Sequence, residues 1–348
     1  QDPSQEQLQS VLNLYTHGKL QQALSESSQM LERFPNSVVL YNISGASNAA
    51  LKRFDAAIDS YQQALRIKPD YAEVHNNMGS AMKDKGDLEE AIESYKQALR
   101  IKPDYAVAYN NMANAMKDKG DLEEAIESYK QALRIKPDYA EVHNNMGSAM
   151  KDKGDLEQAI ESYKQALKIK PDYAVAYNNM ANAMKDKGDL AEAIESYKQA
   201  LRIKPDYAEV HNNMGNALSI KGDLAEAIES YKKALRIKPD FAGAYNNMAN
   251  AMKNKGDLAE AIESCKQALK IKPDYADAYY NMANAMKDKG DLVEAIESYK
   301  QALKIKPNFA KAYYNMGNTL NEKGDPEAAI DSYKQALKIK PDYAEAYY

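Results

Sequence analysis

The chain has 348 residues, 44% of them hydrophobic, and a formal net charge of −5 from 46 basic and 51 acidic side chains. That composition is rich enough in apolar residues to fold, and it lacks the basic excess that nucleic acid or an anionic membrane surface selects. No apolar run reaches the ~18 residues of a membrane span. The single cysteine, Cys265, excludes an internal disulfide framework and suits a reducing compartment, so a cytoplasmic location is expected.

The chain opens on Gln1-Asp2-Pro3, with no initiator Met, charged n-region or apolar h-region, and residues 1–3 read as a cloning or processing scar. Beyond it, prolines recur every 34 residues: Pro35, Pro69, Pro103, Pro137, Pro171, Pro205, Pro239, Pro273, Pro307 and Pro341. A fixed period of this size marks a small unit stacked many times, too short to bury its own apolar face. The array covers 4–343, with repeats starting at 4, 38, 72, 106, 140, 174, 208, 242, 276 and 310. The first two diverge, with Ile43 and Ser44 where later units carry Asn and Met, as capping repeats do.

Ala72 to Tyr105 serves as the type unit, its positions numbered 1 to 34. His75, Met78, Gly79 and Met82 fall on one side of a first helix. Gly86 suits a left-handed cap that ends it. Asp87 with Glu90 has the spacing of a capping box for the second helix, and Asp70 and Glu73 are expected to cap the first. Leu88, Ala91, Ile92, Tyr95, Ala98, Leu99 and Ile101 form the buried side of the second helix, which Pro103 stops. The unit is a helical hairpin. Residues 72–139 and 140–207 differ only at Glu90/Gln158, Arg100/Lys168 and Glu123/Ala191, the mark of tandem duplication or engineering. Pro326 occupies the first turn of the last second helix, where proline is tolerated. Residues 344–348 read as the start of an eleventh first helix, cut short.

No catalytic, cofactor or metal constellation stands out. His75, His143 and His211 share position 4 with Tyr109, Tyr177 and Tyr245, so they read as packing residues. Cys265 replaces the position-24 tyrosine and reads as a core substitution. What asks for an explanation is asparagine. Position 6 is Asn77, Asn111, Asn145, Asn179, Asn213, Asn247, Asn281 and Asn315, and position 5 adds Asn76, Asn110, Asn144, Asn178, Asn212 and Asn246. Position 9 carries Asn114, Asn182, Asn216, Asn250, Asn284 and Asn318. On a helical wheel, positions 2, 5, 6, 9 and 13 lie opposite the apolar side. Asparagine costs about 0.5 kcal/mol against alanine inside a helix, so it is a poor choice for mere solubility. A carboxamide both donates and accepts, and a row of them can pair with the backbone of an extended chain. Inter-repeat hydrogen bonding, or a plain helix surface, is the other reading that the residues leave open.

The pattern His75-x-x-Met78-Gly79-x-x-Met82, followed by Ala91-x-x-x-Tyr95, Ala98 and Pro103, resembles the tetratricopeptide repeat (TPR), with Met in place of the usual Leu and Tyr of the first helix. The resemblance implies an all-α, right-handed α-α superhelix of ten full hairpins plus a truncated eleventh, first helices lining a concave face. It implies a non-enzymatic protein–protein interaction scaffold without cofactors. Its partner would be a protein or extended peptide, and neither nucleic acid nor membrane. The asparagine row resembles the ladder of TPR-bearing O-GlcNAc transferases. By that likeness the position-6 residues, with Asn110, Asn144, Asn178 and Asn212, are peptide-binding. Lys at position 2 with Arg at position 6, as in chaperone-tail adaptors, is missing; Lys311 goes with Asn315. Two alternatives stand beside the scaffold: the substrate-recruiting arm of a larger glycosyl- or sulfotransferase, and a structural solenoid that self-associates end to end.

Overall fold

The computed structural model describes residues 3–342. Residues 343–348, and with them the expected eleventh helix, lie outside the described residues, as do the first two residues of the expected scar. Every regular element among the described residues is an α-helix. The chain gathers into two compact units, Gln1–Pro171 and Asp172–Tyr348. The first holds α1 (Gln5–Thr16), α2 (Leu20–Arg33), α3 (Val38–Ala50), α4 (Phe54–Ile67), α5 (Ala72–Lys85), α6 (Leu88–Ile101), α7 (Ala106–Lys119), α8 (Leu122–Ile135), α9 (Ala140–Lys153) and α10 (Leu156–Ile169). The second holds α11 (Ala174–Lys187), α12 (Leu190–Ile203), α13 (Ala208–Lys221), α14 (Leu224–Ile237), α15 (Ala242–Lys255), α16 (Leu258–Ile271), α17 (Ala276–Lys289), α18 (Leu292–Ile305), α19 (Ala310–Lys323) and α20 (Pro326–Ile339). In each unit a helix packs on the next in sequence, and successive first helices also touch, as α5 does α3 and α7, and α15 does α13 and α17.

Two features of the sequence hold most of the hairpins together. Position 24 is a buried tyrosine, and Tyr95, Tyr129, Tyr163, Tyr197, Tyr231 and Tyr299 are among the largest fully buried side chains. A buried phenol needs a partner for its hydroxyl. Position 9 supplies it: Tyr129 donates to Asn114 Oδ1 at 2.6 Å and Tyr231 to Asn216 Oδ1 at 2.8 Å, while Tyr95 pairs with the Ser80 hydroxyl at 3.1 Å. Burial pushes the Tyr95 and Tyr163 phenols up to about 12. Where position 8 is glycine the ring lies so close that a Cβ on Gly147 would stand 2.8 Å from Tyr163. The second feature is position 23, where Ser94 Oγ donates to the carbonyl of His75 at 2.8 Å and Ser162 to that of His143 at 2.8 Å. Each such bond ties the second helix to the first helix of its own repeat.

The ends of the helices agree only in part with the expected caps. Gly86 takes φ 104° and closes α5 as expected, its N–H donating to the carbonyls of Met82 and Lys83. Lys102 adopts extended backbone ahead of Pro103 and ends α6. The capping boxes, however, do not form at Asp87 and its equivalents. Asp87 is the N-cap of α6, but its side chain accepts no bond from that helix. It pairs instead with Lys85 at 2.9 Å, as Asp121 does with Lys119 at 3.0 Å and Asp189 with Lys187 at 3.1 Å. A lysine two residues upstream outcompetes a backbone N–H for the carboxylate. Nor do Asp70 and Glu73 cap α5, whose N-cap is Tyr71; Glu73 reaches Lys102 at 3.4 Å. Side-chain caps occur at Ser4, in a box with Gln7, and at Asp325, which accepts from Ala328 N ahead of α20 with Pro326 in its first turn.

In the second repeat the left-handed position falls on Lys52, at φ 59°. Lysine there carries a steric cost that glycine avoids, of roughly 1 kcal/mol. Lys52→Gly is expected to stabilise α3 and α4 by about that amount. Hydrogen exchange from those helices should slow; unchanged or faster exchange would contradict the assignment of strain.

Candidate functional site

Each first helix is surrounded within its unit by more neighbours than an amphipathic surface helix has. α5 packs on α4 and α6 and touches α3 and α7. Its buried arc is correspondingly wide. Val74 and Ala81, at positions 3 and 10, are nearly inaccessible, and so is Asn76 at 5% exposure. The expected wheel, which placed positions 5 and 9 opposite the apolar side, is therefore corrected. Position 5 faces the seam between repeats, and position 9 faces the tyrosine of its own hairpin. Asn110, Asn144, Asn178 and Asn212 are all buried, while the position-6 residues Asn77, Asn111, Asn145, Asn179, Asn213, Asn247, Asn281 and Asn315 are half-buried.

The two asparagines work together across repeats. In the first unit, Nδ2 of Asn77 donates to Oδ1 of Asn42 at 3.1 Å, Asn111 to Asn76 at 3.1 Å, and Asn145 to Asn110 at 3.2 Å. In the second, Asn213 donates to Asn178 at 3.2 Å, Asn247 to Asn212 at 3.1 Å, and Asn281 to Asn246 at 2.9 Å. Within a helix, Nδ2 of Asn110 donates to Oδ1 of the next residue, Asn111, at 3.4 Å. Inter-repeat hydrogen bonding, one of the readings the sequence left open, is thus present. It does not exhaust the position-6 amide, which has two N–H groups and two lone pairs. At Asn111, Asn145, Asn213 and Asn247 one N–H is engaged with the preceding repeat and the side chain is held in a single orientation. The pattern changes at the last two repeats, where position 5 is Tyr280 and Tyr314. Asn315 donates to Tyr280 Oη at 2.9 Å and to Asn284 Oδ1 at 3.0 Å, so both of its N–H groups are engaged.

Charges beside the row are paired along it. Lys83 contacts Asp84 at 3.3 Å and Asp118 of the next repeat at 3.8 Å; Lys253 contacts Asp288 at 3.8 Å. The face is therefore close to neutral and rich in amides.

The position-4 histidines pack as expected, with one addition. His75 Nε2 lies 2.9 Å from the Pro69 carbonyl, His143 3.1 Å from that of Pro137, and His211 3.1 Å from that of Pro205. A carbonyl only accepts, so Nε2 carries the proton, and Nδ1 is buried without a partner. Each histidine thereby ties its first helix to the preceding repeat. Among the described residues no group of three or more His, Cys, Asp or Glu could hold a metal ion. Cys265 is buried and its thiol is pushed up to about 12, far from a reactive thiolate. Its substitution for tyrosine leaves Asn250 exposed and without the phenol partner that Asn216 and Asn284 have.

Two outcomes follow. Asn110→Ala should lower stability by about 1 kcal/mol by removing the acceptor for Asn145, whereas Asn250→Ala should be neutral or stabilising by about 0.5 kcal/mol. Equal effects in denaturant unfolding would contradict the seam. Burial, with Lys233 and Arg236 adding to it, holds His211 below its ordinary 6.5. Between that lowered value and 6.5 the unfolded chain binds more protons, so stability falls as pH drops below about 6.5, by at most about 1.4 kcal/mol per pH unit for one site. His211→Tyr, the residue other repeats carry there, should remove this component. Parallel pH profiles for the two proteins would refute it.

Set beside known proteins, the chain matches the family model for the cilia and flagella-associated protein 70 C-terminal domain over residues 6–278. Tetratricopeptide-repeat models match residues 264–297, 283–324 and 310–343. Among solved structures, the APC/C hetero-tetramer Cut9–Hcn1 is similar over 98% of this chain and 82% of its own, with a TM-score of 0.56 at 15% identity. PilF of Pseudomonas aeruginosa is similar over 60% of this chain and 95% of its own, with a TM-score of 0.52 at 20% identity. A MamA structure is 30% identical over 48% of this chain and 97% of its own, with a TM-score of 0.44. No curated protein matches in sequence.

Proposed function

The chain belongs to the tetratricopeptide-repeat proteins, within the family of the cilia and flagella-associated protein 70 C-terminal domain, and from that premise we propose that it is a non-enzymatic scaffold that holds extended peptide segments along its row of first helices. The observation that carries the reading is the pinned amide at position 6. Asn145 is oriented by its bond to Asn110, and Asn213 by its bond to Asn178. Each keeps an N–H and a carbonyl lone pair for a ligand. A peptide unit offers the complementary pair, whatever its side chain. In this reading Asn77, Asn111, Asn145, Asn179, Asn213, Asn247 and Asn281 grip the backbone. Asn110, Asn144, Asn178 and Asn212 aim them from the seam. Asn315, with both N–H groups engaged, takes part through its carbonyl oxygen. Preorganisation matters because an amide already fixed in place loses little side-chain entropy on binding.

Backbone recognition makes a specific demand. A pool of unstructured, end-blocked peptides of mixed sequence should bind with little loss on scrambling, and should lose affinity when alternate backbone nitrogens are methylated. Replacing Asn111 and Asn145 together with Ala should weaken binding about ten-fold, each lost bond being worth roughly 0.5–1.5 kcal/mol. Binding that survives both N-methylation and the double substitution would rule out the asparagine row as the site.

A further inference from the structure

The seventh repeat departs from both its neighbours at several positions of α13 and α14. Leu218 stands where they have Met184 and Met252, Ser219 and Ile220 where they have Lys185-Asp186 and Lys253-Asn254, and Lys233 where they have Gln199 and Gln267. At this place a cavity of about 340 Å³ opens between α12, α13 and α14. That volume falls at the small end of ligand cavities, which span roughly 300–1,000 Å³. Ile194, Met214 and Leu218 give it an apolar wall, and Lys198, Lys233 and Glu226 stand among its polar lining.

Two observations distinguish it from an ordinary crevice. Ser230 lines the cavity, is 2% exposed, and its Oγ has no partner. The same hydroxyl in the flanking repeats is satisfied: Ser196 donates to the Tyr177 carbonyl at 3.0 Å and Ser264 to that of Tyr245 at 2.8 Å. A buried hydroxyl left without an acceptor is costly, and an acceptor supplied by a ligand would remove that cost. The second observation is charge. In the flanking repeats Gln199 donates to Glu195 at 2.8 Å and Gln267 to Glu263 at 2.6 Å. Here Glu229 takes Lys232 at 2.8 Å instead. Lys233 acts on the same Glu229 only at longer range, and neither Lys233 nor Lys198 forms a close ion pair. The lining's own charges, Lys198 and Lys233 against Glu226 and Glu229, balance, and Lys232, paired with Glu229, gives the cluster an excess of one positive charge.

We infer that this cavity binds an apolar group that ends in a single carboxylate. The apolar part lies against Ile194, Met214 and Leu218. The carboxylate accepts from the Ser230 hydroxyl and sits between Lys198 and Lys233. Two sources carry this chemistry, a free medium-chain fatty acid and the aliphatic C-terminal residue of a peptide. The site is lined by none of the asparagines of the first-helix row, so it stands or falls separately from the proposed scaffold function.

Calorimetric titration of the full chain tests it with four probes: decanoate and decanol, and the peptide acetyl-Gly-Gly-Leu-Leu as its free acid and its amide. At least one acid should bind saturably at a single site, about tenfold or more tighter than its neutral counterpart. The acid that binds identifies the source. Leu218→Met with Lys233→Gln, which restores the residues of the flanking repeats, should weaken that acid about tenfold while the melting midpoint holds. Ser230→Ala should also weaken it, with the midpoint unchanged or raised, whereas Ser196→Ala should lower the midpoint. Failure of both acids to saturate at millimolar concentration overturns the inference. So does equal binding of the neutral probes, or unchanged binding in folded variants.

Discussion

Two helices of fourteen residues have too little interior to sustain themselves. Every repeat leaves an apolar face that only another repeat can cover, and most other features of the structure answer to that dependence. Small residues at positions 10, 20 and 27, such as Ala81, Ala91 and Ala98, are almost fully excluded from solvent. They let helices approach closely enough for each seam to become dry. A dry seam in turn demands that its polar atoms be matched. The tyrosine hydroxyls find Asn or Ser at position 9, and the serines at position 23, Ser230 excepted, find a carbonyl. The histidines find a carbonyl at the end of the preceding repeat, and the asparagines at positions 5 and 6 find one another.

Periodicity alone made the hairpin, its length and its boundaries readable, because a proline punctuates every copy and a glycine with left-handed backbone every copy but the second. The phase of the first helix was less legible. A wheel assumes one buried side, but α5 has neighbours nearly all round, and so Asn76 disappears from solvent though it is polar. The caps depart from the sequence pattern for a different reason. The Asp87–Glu90 spacing is that of a capping box, but Lys85 lies close enough to take the carboxylate. A spacing rule records which partners are within reach; it does not rank them. The serine clasp at position 23 has no signature in the sequence, because a serine on a helix is ordinary until its carbonyl partner is placed beside it.

Duplicated repeats give the departures from the period a particular value. Where nearly every copy repeats the same solution, a single change is set against an internal control. Cys265 removes one phenol and leaves Asn250 without a partner. Tyr280 and Tyr314 end the amide pairs at position 5, and Asn315 turns to a phenol oxygen instead. In the seventh repeat, Leu218 and Lys233 alter a wall and a rim together, around a serine that has lost its usual acceptor. Stability of the stack is shared among all copies, so changes of this kind are tolerated locally.

Within each compact unit the bonds between asparagines of successive repeats all run the same way, from an N–H on one repeat to a carbonyl oxygen on the repeat before it. A carboxamide is a dipole, and its twofold mimicry of a peptide group ends where its oxygen and nitrogen differ. The row therefore carries an arrow. It is a vectorial surface, not a symmetric one, and an N-to-C strand laid along it meets a different sequence of donors and acceptors from the same strand laid in reverse.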